Sequence, residues 1–364
     1  AKIIEKHITL DRSKKGLDYY SALNPQEFKD LVLLIKKTKI GMGDPTLKFS
    51  KNEQIYRLNH KKIPVLLHSI KKNTLINEKM FEFKRTKIKN FLLTSFELNN
   101  SITKTPLSKN DVLTKNKIKT KKKVVAVIAC RIHSTRLFAK QLQLVGKYSI
   151  LEHVLSQIKN SKFIDEIVLA ISEKNGNEVF IDFAKRNKLK FILGNDKDVL
   201  QRLINAAKLV SSDIVFRITP ENPFIYWGVI DTLIDKHISG CYDFSYVIDV
   251  PLGSGFELIN LASLEKSHKN GLSKHRSELC TLYIHENQNK FKIYQLMPPK
   301  KLRRSDLRLT VDTPQDLIFA RIIHNSIGKN LTPIPLQKVI EFIDKHEDLK
   351  SINSDIPVGV SRIW

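Results

Sequence analysis

Cysteine is scarce in this chain, whose 364 residues include only Cys130, Cys241 and Cys280. Three scattered cysteines exclude a disulfide framework and a cysteine-rich metal knuckle, so a reducing, cytoplasmic location is expected. Long apolar runs are also absent, and none approaches the length of a membrane span. The chain begins at Ala1 without a basic and apolar leader, so we expect a fragment of a longer polypeptide without a membrane partner.

Acidic residues are few relative to basic ones, with 37 Asp and Glu against 62 Lys and Arg and a formal net charge of +25. Such an excess can bind the phosphate backbone of nucleic acids. Here the basic residues are diffuse, and their densest run, residues 115–123, joins two apparent domains. We therefore attribute the charge to a general lysine bias and do not expect specific nucleic-acid binding.

A buried strand followed by a cationic loop is the most informative stretch of the chain. The sequence VVAVIACRIHSTRLFAK, residues 124–140, carries an apolar run and then three cations and two hydroxyls: Arg131, Ser134, Thr135, Arg136 and Lys140. Guanidinium groups bind phosphate oxygens in pairs and an ammonium adds a point charge, so this loop suits a triphosphate. On charge alone, a solvated basic loop is an equally good interpretation.

Alternating strands and helices predict an α/β fold around this loop. Strands are predicted at residues 124–130, 166–171, 190–193, 214–219 and 307–311, with helical segments at 148–160 and from Thr313-Pro314 onward. Such alternation is typical of a mostly parallel sheet. Open sheets of this kind bind ligands at the carboxyl ends of their strands, which is where the cationic loop lies.

Three motifs, CRIHSTRLFAK, RITPENPFI and LRLTVDTPQDL, resemble in sequence and order those of the cytidylyltransferases that activate acidic sugars, including the spore-coat polysaccharide type. The resemblance spans residues 123–364 and implies a GT-A-like nucleotidyltransferase domain that uses CTP and Mg²⁺. The implied nucleotide-binding residues are Arg131, Ser134, Thr135, Arg136, Lys140 and Ser172. The implied catalytic residues are Arg136, Lys140 and Asp312, and the implied metal ligands are Asp312 and Glu221.

Two departures from the family accompany this resemblance. Pro220-Glu221 stands where the family usually has Gly-Asp, and Phe138-Ala139 where it has Pro-Gly. Both change the backbone near the expected nucleotide.

Other roles are open for several of these residues. Asp312 could instead cap the helix at Pro314. The implied acceptor-side residues are Glu257, Arg276 and Glu278, with a surface ion pair between the last two as the alternative. Asp196 or Asp198 is expected to cap a helix, and Arg217 is expected to pair with Glu221.

The N-terminal third shows a second resemblance. AKIIEKHITLDRSKKGLDYYSALNPQEFKDLV, within residues 1–58, is similar to the last part of a sialic acid synthase barrel, which implies a metal ligand at His7 and a sugar contact at Asp18. Residues 59–122 resemble the antifreeze-like (SAF) domain that follows such barrels, with a sugar-binding Arg85. The alternatives are a half-buried strand residue at His7 and an exposed charge at Arg85.

The patterns within these N-terminal segments also predict structure. A helix is expected at residues 24–41 with Pro25 in its first position, and its apolar face should be uncovered without the rest of a barrel. The SAF-like segment contains two similar halves, SIKKNTLINEKM and PLSKNDVLTKNKI. Because a barrel site needs residues from several strands, synthase activity is expected to be absent.

The combined interpretation is a truncated barrel remnant, a small β-rich SAF-like domain and a mostly parallel nucleotide-binding sheet. Its expected function is CTP-dependent activation of a sialic-acid-like, nonulosonic sugar to its CMP-sugar, in a chain that is a homo-oligomer by resemblance. One alternative is a nucleotidyltransferase for another sugar or phosphate acceptor. The other is a non-catalytic module that assembles through its SAF-like segment.

Overall fold

The computed structural model describes residues 3–43, 48–85, 98 and 101–356. The chain divides into two compact units, Ala1–Thr120 and Lys121–Trp364. The three-domain division at 1–58, 59–122 and 123–364 stays a prediction, and its SAF-like segment includes residues 86–97, which lie outside the described part. Among the described residues, no helix combines the length and the apolar character that crossing a membrane requires.

The first unit contains a helix, α1 (Pro25–Gly41), whose start follows from its sequence. The Asn24 side chain accepts a hydrogen bond from the Glu27 amide at 2.8 Å, and the Glu27 carboxylate accepts one from the Asn24 amide at 2.9 Å. This capping box, with Pro25 as the first helical residue, fixes where the helix begins. No residue of α1 is buried, and Leu34 is 61% exposed, so the prediction of a helix with an uncovered apolar face is confirmed.

A second helix and a small β module complete the first unit. They comprise α2 (Lys51–His60), an antiparallel pair of β1 (Ile63–Leu66) with β2 (Phe81–Lys84), and an antiparallel pair of β3 (Ser101–Thr103) with β4 (Ile118–Thr120). The module has its own apolar core, which includes Leu66, Ile76 and Leu113.

The two similar halves of this module are similar in backbone as well. Ile70 in the first half bridges Leu107 in the second. Asn73 and Asn110 occupy the same place in each half, and both adopt the left-handed conformation, with φ of 60° and 70°. Asn tolerates this conformation better than most residues. The Lys-Asn pair that both halves share therefore explains why the two turns have the same backbone conformation.

The second unit is built on a seven-stranded sheet. Its strands are β5 (Val124–Cys130), β8 (Glu166–Ser172), β9 (Lys190–Gly194), β10 (Ile214–Ile218), β11 (Phe244–Val247), β12 (Glu257–Asn260) and β13 (Ile293–Leu296). The spatial order is β13-β11-β12-β10-β5-β8-β9. Strands β10, β5, β8 and β9 are parallel, and β12 is antiparallel to both neighbours. The predicted mostly parallel α/β fold is confirmed, with four strands starting and ending within one residue of their predicted bounds.

Helices bury both faces of the sheet. They are α3 (Ile150–Ile158), α4 (Glu178–Arg186), α5 (Val199–Leu209), α6 (Ile230–Ser239), α7 (Leu261–Asn270), α8 (Leu282–Glu286), α9 (Pro314–Ile327) and α10 (Leu336–Lys345). Alternate residues of β5 enter different cores: Val124, Ala126 and Ile128 join the core with α3, α4, α6, α9 and α10, whereas Val125 and Val127 join the core with α5, α7 and α8. Burial on both faces explains why β5 is a continuous apolar run. A separate short hairpin pairs β6 (Leu144–Val145) with β7 (Tyr148–Ser149).

The prediction of a strand at residues 307–311 is wrong, because the segment contains only one isolated parallel bridge, between Arg308 and Leu252. The amides of Leu309 and Thr310 both donate to the carbonyl of Leu252, at 2.7 and 3.0 Å, and the amide of Val311 donates to the carbonyl of Glu221 at 3.1 Å. These amides are therefore satisfied by two loops and not by a strand ladder. The arrangement holds the next residue, Asp312, beside the loop that carries Glu221.

Gly253 allows one of these loops to approach the 307–311 segment. Its φ is +95°, and a Cβ at this position would lie 2.5 Å from the Thr310 amide nitrogen. We expect Gly253→Ala to lower the free energy of unfolding by about 2 kcal/mol or more, because a left-handed backbone costs an L residue about 1–2 kcal/mol and the clash adds to it. Urea denaturation measures the effect. Gly228→Ala is the control, since a Cβ there meets no atom within 4 Å, and equal effects would contradict this packing.

Candidate active site

The candidate site lies at the carboxyl ends of β5 and β10, which are adjacent parallel strands. The loop after β5 runs from Arg131 to Ala139 and ends in a short 3₁₀ turn that begins at Lys140. The loop after β10 carries Pro220 and Glu221. Both loops therefore leave the sheet at the edge where open α/β sheets bind their ligands.

Lys140 joins the two carboxylates that were predicted to bind metal. Its Nζ lies 2.9 Å from Glu221 Oε1 and 2.7 Å from Asp312 Oδ1, and only 13–17% of each side chain is exposed. Burial lowers the pKa of Lys140, but the charges of Glu221 and Asp312 outweigh it, and the pKa lies above its ordinary value. A protonated ammonium thus holds the two carboxylates together.

Asp312 is shared by three cations. Besides Lys140, Arg136 Nη2 lies 3.1 Å from Oδ1, and Arg308 Nη2 lies 3.1 Å from Oδ2. The Arg136 side chain is 47% exposed, so it faces solvent, whereas Arg308 is buried. Arg308 Nε in turn lies 2.8 Å from Asp316 Oδ1. The cluster therefore balances three cations with three carboxylates, which are Glu221, Asp312 and Asp316.

Thr313, and not Asp312, caps the helix that follows. The Thr313 hydroxyl accepts a hydrogen bond from the Asp316 amide at 3.3 Å, and the Asp316 carboxylate accepts one from the Thr313 amide at 3.0 Å. This is a capping box with Pro314 at the first helical position. The alternative that Asp312 caps α9 is wrong, and its carboxylate belongs to the ion cluster instead.

Two of the predicted acceptor-side residues, Arg276 and Glu278, lie on a neighbouring segment of the chain. Glu278 Oε2 lies 2.8 Å from Arg131 Nη2, so the ion pair forms between a predicted acceptor residue and a predicted nucleotide residue. The alternative pairing of Glu278 with Arg276 does not occur, because Arg276 donates to the carbonyl of His268 at 3.3 Å. Both Arg131 and Glu278 are about half exposed, and exposed pairs of this kind hold each other weakly.

Glu257 lies beneath this loop and is 2% exposed. Its Oε2 accepts from Arg217 Nη1 at 2.5 Å and its Oε1 accepts from the Thr281 hydroxyl at 2.9 Å. Arg217 Nη2 also donates to the carbonyl of Glu278 at 2.7 Å. The expected pairing of Arg217 with Glu221 is wrong, because Glu257 is the buried carboxylate that faces Arg217. Glu257 thus supports the Glu278 loop from below.

Ser172 lies at the end of β8, also on the carboxyl edge of the sheet. It is 1% exposed and its hydroxyl donates to Asp196 Oδ1 at 2.7 Å. Asp198 accepts from the Gln201 amide at 2.8 Å and caps α5, so the cap expected for this pair of aspartates is confirmed at Asp198.

Sequence analysis missed two residues of this region. Arg308 and Asp316 lie four residues before and after Asp312 within LRLTVDTPQDL, so their spacing was the available signal.

Arg202 on α5 is 2% exposed and donates from Nη1 to the carbonyls of Ala170 and Cys130, at 2.8 and 3.2 Å. It thereby ties together the ends of β5 and β8.

A small cavity opens among these side chains. It measures about 70 Å³ and is lined in part by Arg131, Lys140, Arg202, Arg217, Thr219 and Glu221. A water molecule in the liquid takes about 30 Å³, so the cavity holds about two of them. Of the predicted nucleotide-binding residues on the cationic loop, Ser134 is half-buried and Thr135 and Arg136 are exposed.

The carboxylates of the site fit a magnesium ion, although they are few. No group of three or more His, Cys, Asp or Glu side chains with metal-binding geometry occurs in the part of the chain that the structure describes. Mg²⁺ is commonly held by one or two carboxylates together with substrate phosphates and water. The oxygens of Glu221 and Asp312 already surround one cation, the Lys140 ammonium, so their placement suits such an ion.

The three N-terminal site predictions belong to the first unit. His7 Nε2 lies 3.9 Å from Asp18 Oδ2, with both side chains mostly exposed. Arg85 lines an open groove of about 750 Å³ with residues of α2, including Tyr56, Arg57 and His60. His7 and Asp18 are therefore close to each other, and His7 is an exposed residue rather than a half-buried strand residue.

Ala139 adopts the left-handed conformation, with φ of 49° and ψ of 37°, where the family usually has Gly. We expect Ala139→Gly to raise the free energy of unfolding by about 1 kcal/mol, because the strain of the Cβ in this conformation is removed. Urea denaturation gives the value. Ala184→Gly, within α4, is the matched control and should lower the free energy of unfolding by about 1 kcal/mol or more. Destabilisation at both positions would contradict the strain at Ala139.

Relatives of the chain fall into two groups, one for each end of the sequence. Residues 1–46 match the family model described as "NeuB family". An N,N'-diacetyllegionaminic acid synthase of Campylobacter jejuni is 39% identical over 85 residues, which cover 23% of this chain and 25% of that synthase. The chain thus spans about a quarter of the length of that relative.

The C-terminal part matches over nearly whole relatives. An uncharacterized Methanocaldococcus jannaschii protein is 33% identical over an alignment that covers 64% of this chain and 96% of that protein. The Bacillus subtilis spore coat polysaccharide biosynthesis protein SpsF is 25% identical over an alignment that covers 62% of this chain and 95% of SpsF. The solved structure of a Leptospira borgpetersenii cytidylyltransferase is 27% identical in sequence and superposes with a TM-score of 0.57. The match covers 63% of this chain and 96% of that cytidylyltransferase. Residues 125–353 match the model described as "Cytidylyltransferase", and the chain belongs to this family of nucleotidyltransferases.

Proposed function

We propose that residues 123–364 transfer the CMP group of CTP to an acidic, sialic-acid-like sugar in the cytoplasm. The observation that carries the proposal is the contact of Lys140 with Glu221 and Asp312, with Arg136 beside them, at the carboxyl edge of the sheet. The choice of sugar is supported by the N-terminal similarity to acidic-sugar synthases, because one polypeptide would then carry segments for making and for activating the same sugar.

The reaction requires little covalent chemistry from the protein. An oxygen of the sugar attacks the α-phosphorus of CTP, the bond from that phosphorus to the bridging oxygen of the β-phosphate breaks, and pyrophosphate leaves. The sugar hydroxyl proton goes to solvent or to a nearby carboxylate. Catalysis then depends on positioning and on neutralising the phosphate charge.

Three cations of the cationic loop provide that neutralisation. Arg131 and Arg136 are paired with Glu278 and Asp312, but 45–47% of each arginine side chain is exposed. The Arg131–Glu278 pair is exposed on both sides and such pairs are worth about 0–1 kcal/mol, so phosphate oxygens can replace the Glu278 carboxylate at low cost. We propose that Ser134 and Thr135 donate to the same phosphates, and that Ser172 lies on the ribose and base side.

Lys140 has a different environment from the two arginines, because it is held between Glu221 and Asp312. In our proposal its ammonium moves to the triphosphate when the nucleotide binds, which frees the two carboxylates. Glu221 and Asp312 would then hold Mg²⁺, which supplies further charge neutralisation on the phosphates. Nucleotide binding and metal binding are thus coupled through Lys140.

The acceptor side is proposed to be the loop with Arg276 and Glu278, where Arg276 meets the sugar carboxylate. Without nucleotide, Glu278 of this loop pairs with Arg131 of the cationic loop, so the proposed acceptor and nucleotide sides are neighbours. Glu257 contributes by holding Arg217 and Thr281 beneath it.

For the first unit we propose a barrel-end remnant with His7 and Asp18 and an SAF-like module with Arg85. A barrel site needs residues from several strands, so we propose no synthase activity for residues 1–46 by themselves. The module would instead act in assembly of a homo-oligomer, which is the second candidate function.

Pyrophosphate release tests the proposed transfer reaction. We expect the purified chain to release pyrophosphate only with CTP, Mg²⁺ and a nonulosonic acid, and Asp312→Ala to lower kcat by about 100-fold or more, as expected for loss of a group that stabilises transition-state charge. Asp306→Ala is the control, because Asp306 is an exposed carboxylate six residues away that pairs with Arg304.

Preference for another nucleotide, or for a phosphate acceptor, would favour the alternative nucleotidyltransferase. Full activity in Asp312→Ala would contradict the proposed site. An inactive chain whose oligomeric state is the same with and without Asp312 would favour the assembly function.

Mn²⁺ binding in the absence of nucleotide tests the role of Lys140. Removing the competing ammonium with Lys140→Met should tighten Mn²⁺ binding by about 10-fold, which corresponds to about 1.4 kcal/mol. Electron paramagnetic resonance of free Mn²⁺ measures the affinity. Arg131→Met removes one positive charge from the same cavity without touching Glu221 or Asp312, so it serves as the control. An equal gain in both variants would mean that net charge, and not competition, determines metal affinity.

A further inference from the structure

Arg308 lies outside the small cavity of the candidate site but makes three hydrogen bonds to the carboxylates of Asp312 and Asp316. Its Nη2 donates to Asp312 Oδ2 at 3.1 Å and to Asp316 Oδ2 at 3.1 Å, and its Nε donates to Asp316 Oδ1 at 2.8 Å. The residue is 9% exposed, so these contacts are shielded from solvent. A buried, forked guanidinium fixes the orientation of the carboxylates that it binds.

The consequence for Asp312 is that its two oxygens differ. Arg308 binds Oδ2, whereas Oδ1 faces Lys140 and Arg136 in the candidate site. Turning the plane of the Asp312 carboxylate out of this orientation would break the contact with Arg308, so Arg308 fixes that plane. One oxygen is thereby reserved for the cation position beside Glu221.

Asp316 fixes Arg308 from the other side. Besides Arg308, its Oδ2 accepts from the amides of Asp312 and Thr313, both at 3.0 Å. Its Oδ1 also accepts from Asn353 Nδ2 at 3.0 Å. Asp316 therefore holds both the backbone of Asp312 and its side-chain partner, Arg308.

We propose that Arg308, held by Asp316, is a positioning residue that keeps Asp312 Oδ1 directed at the metal in the transfer reaction. This inference rests on the proposed function. It assigns Arg308 no contact with CTP or with the sugar. Its loss should therefore reduce metal affinity and kcat together, with little change in KM for CTP.

The test compares Arg308→Lys with the wild-type chain. Lysine keeps the charge but has no fork with which to bind Asp312 and Asp316 at once. We expect Mn²⁺ affinity in the presence of CTP to fall by about 10-fold or more, as for other residues that orient metal ligands, and kcat to fall with it. KM for CTP should stay within about threefold. Arg304→Lys is the matched control, because Arg304 also pairs with two carboxylates, Asp306 and Asp344, but touches none of the cluster.

A purely structural role makes a different prediction. Arg308→Lys would then lower Tm while Mn²⁺ affinity and kcat, measured well below Tm, stay at the wild-type values, and the proposal would be overturned. Asp316→Glu is the second variant, because Glu keeps the capping box with Thr313 but moves the partner of Arg308 by one methylene. It should reduce Mn²⁺ affinity even if Arg308→Lys fails to fold, and unchanged affinity would overturn the proposal. If the wild-type chain itself shows no turnover, the proposed function fails, whereas the Mn²⁺ titrations still report on Arg308.

Discussion

The sharing of one carboxylate, Asp312, among Arg136, Lys140 and Arg308 is the interaction on which the site depends. It joins the loop after β5 to the segment before α9, which are 172 residues apart at the Lys140–Asp312 contact. Mg²⁺ takes carboxylate oxygens as ligands, so we propose that it can replace the ammonium between these two carboxylates. The contact therefore organises the protein side of the site.

Several features of the fold serve to place Asp312. The two-faced burial of β5 fixes the strand that delivers Lys140. The 307–311 segment is not a strand of the sheet. Its amides donate to the carbonyls of Leu252 and Glu221 in two loops, which brings Asp312 beside Glu221. The capping box of Thr313 with Asp316 then starts α9 immediately afterwards. Backbone hydrogen bonds thus position the carboxylate, and Arg308 sets its rotation.

Sequence patterns predicted those parts of the molecule that follow from local rules. The apolar runs of the parallel strands, the capping residues Asn24 and Asp198 and the start of α9 at Pro314 all depend on neighbouring residues, and they are confirmed. The segment 307–311 was mistaken for a strand because it has a strand's composition, while its hydrogen-bond partners lie in distant loops. No local pattern specifies which loops those are.

Long-range pairing of side chains was the other feature that sequence patterns did not predict. Arg217 lies close in sequence to Glu221 but is paired with Glu257 on the antiparallel neighbour β12, directly opposite Arg217. Arg308 and Asp316 were visible only as spacing around Asp312, because a charge in a motif does not reveal which carboxylate it binds. The sequence therefore predicted which residues gather at the edge of the sheet better than which of them touch.

In the proposed mechanism, Lys140 occupies a cation position until its ammonium moves to a bound nucleotide. A crystal structure with CTP and Mn²⁺, using the anomalous scattering of manganese, would locate both cations. We expect Mn²⁺ between Glu221 and Asp312 and Lys140 Nζ within about 3 Å of a phosphate oxygen. Lys140 still bonded to both carboxylates, with manganese bound elsewhere, would contradict it.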